Sequence, residues 1–117
     1  MSFENFYLYL HLKLIRTNMT KIVENKETNL KLDETVLAKY ADLVAVIMHR
    51  PLKQGITTTE MRRDMRIFEV IEKAKDAETF ELTEEDLKFV VELAKEHAWP
   101  QGHKDILDFE DYLVSLL

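Results

Sequence analysis

The chain has 117 residues, 46% apolar and 32% charged, with two glycines, two prolines, no cysteine and a net charge of −6. A chain of this length and balance reads as one folded domain that buries roughly 65% of its unfolded surface, and it is too apolar for disorder. The absence of cysteine excludes disulfides, thiol catalysis and thiolate metal sites, and no apolar run reaches the roughly 18 residues of a membrane span.

Glu4 precedes the first apolar stretch, and neither a basic leader nor a small-residue cleavage site accompanies it. No signal peptide is therefore expected. From Phe6 to Arg16, Leu8, Leu10, Leu12 and Leu14 alternate with Tyr7, Tyr9, His11 and Lys13. A period of two predicts a strand with leucines on one face and amphipathic side chains on the other. A helical stripe through Phe3, Phe6, Tyr7, Leu10 and Leu14 competes, and the strict alternation favours the strand. Its backbone N–H and C=O groups must be completed within the chain or by another copy. The polar stretch from Thr17 to Asn29 predicts a loop or irregular hairpin. Lys21-Ile22-Val23 and Asn29-Leu30-Lys31-Leu32 are its short extended pieces.

Asp33 is a candidate N-cap, with Glu34 in the first turn and Val36, Leu37, Tyr40, Leu43, Val44, Ile47 and Met48 on one face, so a helix is expected over 34–49. Pro51 ends it by disfavouring helical geometry at Arg50. Thr57-Thr58-Thr59-Glu60 matches a capping box and opens a helix over 58–75. Met61, Met65, Phe68, Ile71 and Ala74 form its stripe. Asp76 to Leu82 is a short link in which Thr79-Phe80-Glu81-Leu82 alternates locally. Thr83-Glu84-Glu85-Asp86 repeats the start signal for a helix over 84–98, and a last helix is expected over 105–116. The fold class expected is α+β. A four-helix body (33–117) carries a small antiparallel β element from an N-terminal arm (1–32), all in one domain. The last two helices are apolar on more than one face, which a second subunit or a covering strand would satisfy.

Charge is unevenly spread. Residues 1–75 carry 13 basic and 10 acidic side chains, and residues 76–117 carry 3 and 12. The acidic third repels phosphate backbones and attracts basic surfaces, or is a solvated helical exterior. His97 and His103 flank Trp99, but their spacing matches no known metal-ligand signature. First-turn carboxylates at Glu84 to Asp86 are explained by the helix dipole. Phosphate-loop, dinucleotide and serine-nucleophile motifs are missing, so no enzyme, cofactor or metal is expected. Tyr7, Tyr9, His11, Lys13 and Trp99 are the candidate partner-binding residues, since aromatics of this kind anchor protein contacts. Arg62, Arg63 and Arg66, at helical spacings of three and four, are the candidate nucleic-acid residues. Asp64, Glu69 and Glu72 stand among them and are available to pair with them.

Gly55-Ile56-Thr57, Glu60-Met61-Arg62, Arg66-Ile67, Phe80 to Asp86, Trp99 and Ile106 to Phe109 resemble, in order, the small accessory proteins of tailed phages and prophages. Leu12 to Arg16 is similar to the opening of such proteins, which would make residues 1–11 an extension. The resemblance implies a non-enzymatic accessory or morphogenesis role in the host cytoplasm or virion and brings no catalytic residue. The expected function is thus a self-associating, protein-binding accessory protein. The alternative is a small nucleic-acid-binding regulator using Arg62, Arg63 and Arg66.

Overall fold

The computed structural model describes residues 20–117. Strands β1 (Thr20–Glu24), β2 (Glu27–Lys31) and β3 (Leu37–Lys39) come first, then helices α1 (Tyr40–Met48) and α2 (Thr58–Lys73). Strand β4 (Thr79–Thr83) leads into α3 (Glu84–Glu96), and α4 (Lys104–Ser115) closes the order. Among the described residues the fold is α+β, with four helices and two small antiparallel sheets. The predicted strand from Phe6 to Arg16 lies outside the described residues.

β1 pairs with β4 in the register Thr20↔Thr83 to Glu24↔Thr79, and β2 pairs with β3 across an irregular register. The alternation of β4 buries Phe80 and Leu82 and leaves Thr79, Glu81 and Thr83 outside. Val23 faces the same interior opposite Phe80, while Ile22, opposite Glu81, stays exposed. The alternating part of the link expected over Asp76 to Leu82 is therefore a strand, with a partner more than fifty residues earlier in the chain.

The first helix starts later than predicted, at Tyr40 rather than Glu34. Asp33 does accept backbone hydrogen bonds, but from Thr35 (2.7 Å) and Val36 (3.0 Å), which closes the loop between β2 and β3. The same side-chain chemistry serves a turn or a helix start. Pairing with β2 then draws Leu37 to Lys39 into extended form. The Lys39 side chain makes no cap hydrogen bond at α1. Asp42 accepts from the Lys39 N–H at 2.8 Å, and buried Asn25, fifteen positions before Tyr40, supplies what is missing. Asn25 Oδ1 accepts from the Ala41 N–H at 2.9 Å, and its Nδ2 donates to the Ala74 and Ala77 carbonyls at 2.7 and 3.0 Å. One side chain thus caps the start of α1 and the end of α2, where orphan groups otherwise need water.

The start of α2 is the expected box. Thr57 Oγ1 accepts from the Glu60 N–H, and the Glu60 carboxylate accepts from the Thr57 N–H and hydroxyl. At α3 only half of the box forms: Thr83 Oγ1 accepts from the Asp86 N–H, while the Asp86 carboxylate turns to Arg66.

Among the described residues the core is one cluster. Leu43, Val44, Ile47 and Met48 of α1 meet Ile67 and Ile71 of α2 and Leu87, Val90, Val91 and Ala94 of α3. Phe109 and Leu113 of α4 close one side, with Tyr40 edge-on to Phe109 at 5.2 Å. Burying each large apolar side chain contributes on the order of 1.5–3 kcal/mol. α4 also reaches the strands through two polar side chains. The Glu24 N–H donates to the Tyr112 hydroxyl (2.9 Å) and the Asn29 N–H to Asp105 Oδ2 (2.8 Å). These bonds occupy strand-edge donors that would otherwise stand open.

Candidate functional site

The arginine row on α2 opens onto a groove of about 590 Å³ between α2 and α3, lined by Arg62, Arg63, Arg66, Glu85, Asp86 and Phe89 among others. Helical spacing puts Arg63 and Arg66 over α3, and both are engaged there. The Arg63 guanidinium lies 3.4 Å from the centroid of the Phe89 ring, and Arg50 approaches the same ring at 5.1 Å. Stacking of this kind holds a guanidinium in a fixed plane. Asp64 lies between these two arginines, 3.1 Å from Arg50 and 3.3 Å from Arg63. Arg50 also donates to the Met48 carbonyl, so the end of α1 is tied to α2 through one carboxylate.

Arg66 binds Asp86 in a two-point fork, Nε at 2.8 Å and Nη2 at 2.6 Å. Asp86 is buried and Arg66 half exposed. The hydrogen bonds that Arg66 donates to Asp86 hold it still more firmly protonated than a free arginine, against the opposing effect of burial. Glu60, at the mouth of the groove, is held below the usual carboxyl range by hydrogen bonds from the Thr57 hydroxyl and amide. Sequence spacing pointed to Asp64, Glu69 and Glu72 as partners for the arginines. Asp64 serves in that way for Arg63, whereas Arg66 takes a carboxylate twenty residues on.

The arrangement works as a clamp. Asp64 and Asp86, the inner carboxylates, are both engaged by guanidinium donors, which is a geometry for joining helices rather than for moving protons. Arg62 points outward and makes no ion pair among the described residues. Among the described residues, every buried side-chain nitrogen and oxygen has a hydrogen-bond partner. No three His, Asp or Glu side chains there converge as metal ligands would, and no helix there is long and apolar enough to cross a membrane.

Of the candidate partner-binding residues, Tyr7, Tyr9, His11 and Lys13 lie outside the described residues. Trp99 is half-buried against the core with His97 edge-on to it at 4.5 Å. His103 is a helix cap, its Nδ1 accepting from the Asp105 N–H at 3.0 Å. Phe89 and Arg50 were not among the residues that sequence reasoning singled out for a site. Arg50 stands before a proline in a connector, and nothing in its neighbourhood signals a ring 39 positions later. Compared with protein-family models, curated proteins and solved structures, the chain matches none.

Proposed function

We propose that this chain is a non-enzymatic, self-associating, protein-binding accessory protein of the kind tailed phages encode, working in the host cytoplasm or the virion. The observation that supports it most is the display of large apolar side chains on three separate elements. Ile22 of β1 is 60% exposed, Met65 of α2 is 63% exposed and Leu107 of α4 is 64% exposed. Single exposed apolar residues are ordinary. Here Met65 is joined on its helix face by Met61, and Leu107 by Val114, which makes small patches of the kind that protein contacts bury.

Strand geometry adds to this reading. The β1–β4 register continues to a bond from the Asn25 N–H to the Glu78 carbonyl. Bonded and non-bonded pairs alternate in an antiparallel ladder. Thr20 and Ile22 therefore turn their N–H and C=O away from β4, toward the edge on which the Glu24 N–H meets Tyr112. An edge of this kind suits strand addition by a partner, and Tyr7, Tyr9, His11 and Lys13 precede it in the sequence. Trp99 offers a further anchor from its turn.

Sedimentation of the full chain over micromolar concentrations tests the reading. Concentration-dependent assembly, reduced in Tyr7→Ser/Tyr9→Ser, is expected. A monomer throughout refutes it. Duplex binding that falls steeply with salt and is lost in Arg62→Ala would move the function to nucleic acid.

A further inference from the structure

We propose that two copies of this chain exchange their leading segments, Phe6 to Arg16 of each seating along the outer edge of β4 on the other. The inference rests on the self-association proposed above and names the seat. Asn25 and Glu78 form a bonded pair at the end of the β1–β4 ladder, so Thr79, Glu81 and Thr83 fall in non-bonded pairs. Their N–H groups point away from β1, as do the carbonyls of Thr79 and Glu81. All three residues are exposed, and among the described residues no backbone hydrogen bond outside the ladder uses Thr79 or Glu81. Beside this edge lies a crevice of about 300 Å³ lined by Val70, Lys73, Ala74, Thr79, Phe80 and Glu81. A strand edge next to an apolar slot takes an extended chain whose alternate side chains fill the slot.

Phe6 to Arg16 has that alternation. Set antiparallel with Lys13 opposite Glu81, it brings Leu14 beside Phe80 and Leu12 beside Leu82, on the face that β4 buries. Charge favours this occupant. The outer face of the sheet shows Thr20, Ile22, Glu24, Thr79, Glu81 and Thr83, two carboxylates and no basic group. Neither carboxylate makes an ion pair among the described residues. From Asn5 to Met19 the chain carries Lys13 and Arg16 and no carboxylate, and opposite charges across a strand pair stabilise it. Lys73 lies on the leucine side, where its stem packs and its exposed ammonium stays in water. A β4–β4 pair between copies, using all the open groups, would instead set Glu81 against Glu81, which is unfavourable. The outer edge of β1 is the shorter seat, because Tyr112 already holds the Glu24 N–H.

Reach decides between a chain's own β4 and that of a second copy. With Ile15 beside Thr79, the five steps to Thr20 stretch to at most about 18 Å. Thr20 pairs with Thr83, at the far end of β4 and two strand spacings away. The straight line is already about 17 Å, and it runs through β4 itself. A second copy has no such tether, and reciprocal exchange fills both seats across a two-fold axis.

The chain has no cysteine, so Lys13→Cys/Glu81→Cys gives each copy one thiol on the segment and one on the seat. Bonded antiparallel pairs hold Cα atoms about 5.5 Å apart, a separation that a disulfide spans. Mild oxidation of the full-length variant, at concentrations where wild type assembles, should give a covalent dimer on a non-reducing gel. Lys13→Cys/Glu72→Cys, with its second thiol on an exposed position of α2, is the control and should stay unlinked. Glu81→Lys should weaken assembly about tenfold in sedimentation, since the pair occurs twice in the exchanged dimer, and adding Lys13→Glu should restore it. This charge swap carries the test if a cysteine variant fails to fold by circular dichroism. A disulfide closed within single copies, no link beyond the control, or assembly indifferent to Glu81→Lys overturns the exchange and leaves self-association through other surfaces standing. A wild-type monomer overturns both.

Discussion

Asn25 is the side chain whose removal should harm the fold most for its size. Asn25→Ala deletes three hydrogen bonds, to the Ala41 N–H and to the Ala74 and Ala77 carbonyls. Ala41 and Ala74 are 1% and 2% exposed, so water does not reach their backbone groups without disturbing the packing. A buried polar group left without a partner costs about 1–3 kcal/mol. The half-buried Ala77 carbonyl adds less, and a water entering the vacated space recovers part. The expected loss is about 2–4 kcal/mol, a fall in Tm of roughly 12 °C for a mid-range 3 kcal/mol. Urea unfolding followed by circular dichroism measures it, and an unchanged m-value shows that the unfolded state is the same.

Asn25→Asp sharpens the reasoning, because it keeps the acceptor for Ala41 and exchanges only the donor. Its carboxylate would face two carbonyl oxygens at the end of α2, in a buried site. That environment raises the folded-state pKa above the unfolded value of about 3.9. The protonated acid can donate to Ala74, so the variant is most stable, relative to wild type, below that unfolded value. It loses stability as pH rises through the raised folded pKa. A loss under about 1 kcal/mol for Asn25→Ala, or an Asn25→Asp variant as stable as wild type at pH 7, would refute the role given to this side chain.

Three further outcomes follow from the same geometry. Arg66→Met strands the buried Asp86 carboxylate and should cost about 2 kcal/mol at neutral pH, less than a fully buried pair because Arg66 itself is half exposed. Part of that loss should return on acidification, as the stranded carboxyl takes a proton, and denaturant melts at pH 7 and pH 4.5 check it. Glu60 should titrate below the usual carboxyl range by NMR, and Thr57→Val should move it back up. With the folded pKa lowered, its cap contributes above the unfolded value and is lost as pH falls through the folded one, seen as faster amide exchange in the first turn of α2. Gly55→Ala should destabilise by about 1 kcal/mol from backbone strain alone, since Gly55 has φ +80° and open space at its Cβ position. Gly102→Ala, equally uncrowded and without a positive φ, should be neutral or slightly stabilising, and thermal melts of the two separate strain from crowding.

What could be read in advance was local. The box from Thr57 to Glu60, the Thr83 cap and the stripes of α2, α3 and α4 are spacing rules within a few residues, and helices appear where they predict. The stop at Pro51 likewise matches α1 ending at Met48. Asp33 was ambiguous in principle, since its carboxylate satisfies a turn as well as a helix start. Only the partner strand β2 decides, by claiming Leu37 to Lys39. The clamp was half legible. Arg63 and Asp64 are adjacent, but Arg66 with Asp86 and Arg63 with Phe89 are juxtaposed by α2 packing beside α3. In sequence Asn25 falls in a polar loop stretch, because its three partners lie 16, 49 and 52 positions away. Short-range pattern carries no information about such a hub.

The two bonds from α4 to the strands have a consequence for biosynthesis. Tyr112 follows Glu24 by 88 positions, and Asp105 follows Asn29 by 76. At about 5–20 residues per second, a ribosome needs roughly 4–18 s to make the stretch separating Glu24 from Tyr112. During that interval the Glu24 and Asn29 N–H groups lack their α4 acceptors and are open to nascent neighbours on the same message. A frameshift or early stop upstream of position 105 would therefore leave both donors open and remove Phe109 and Leu113 from the core, so such fragments should aggregate.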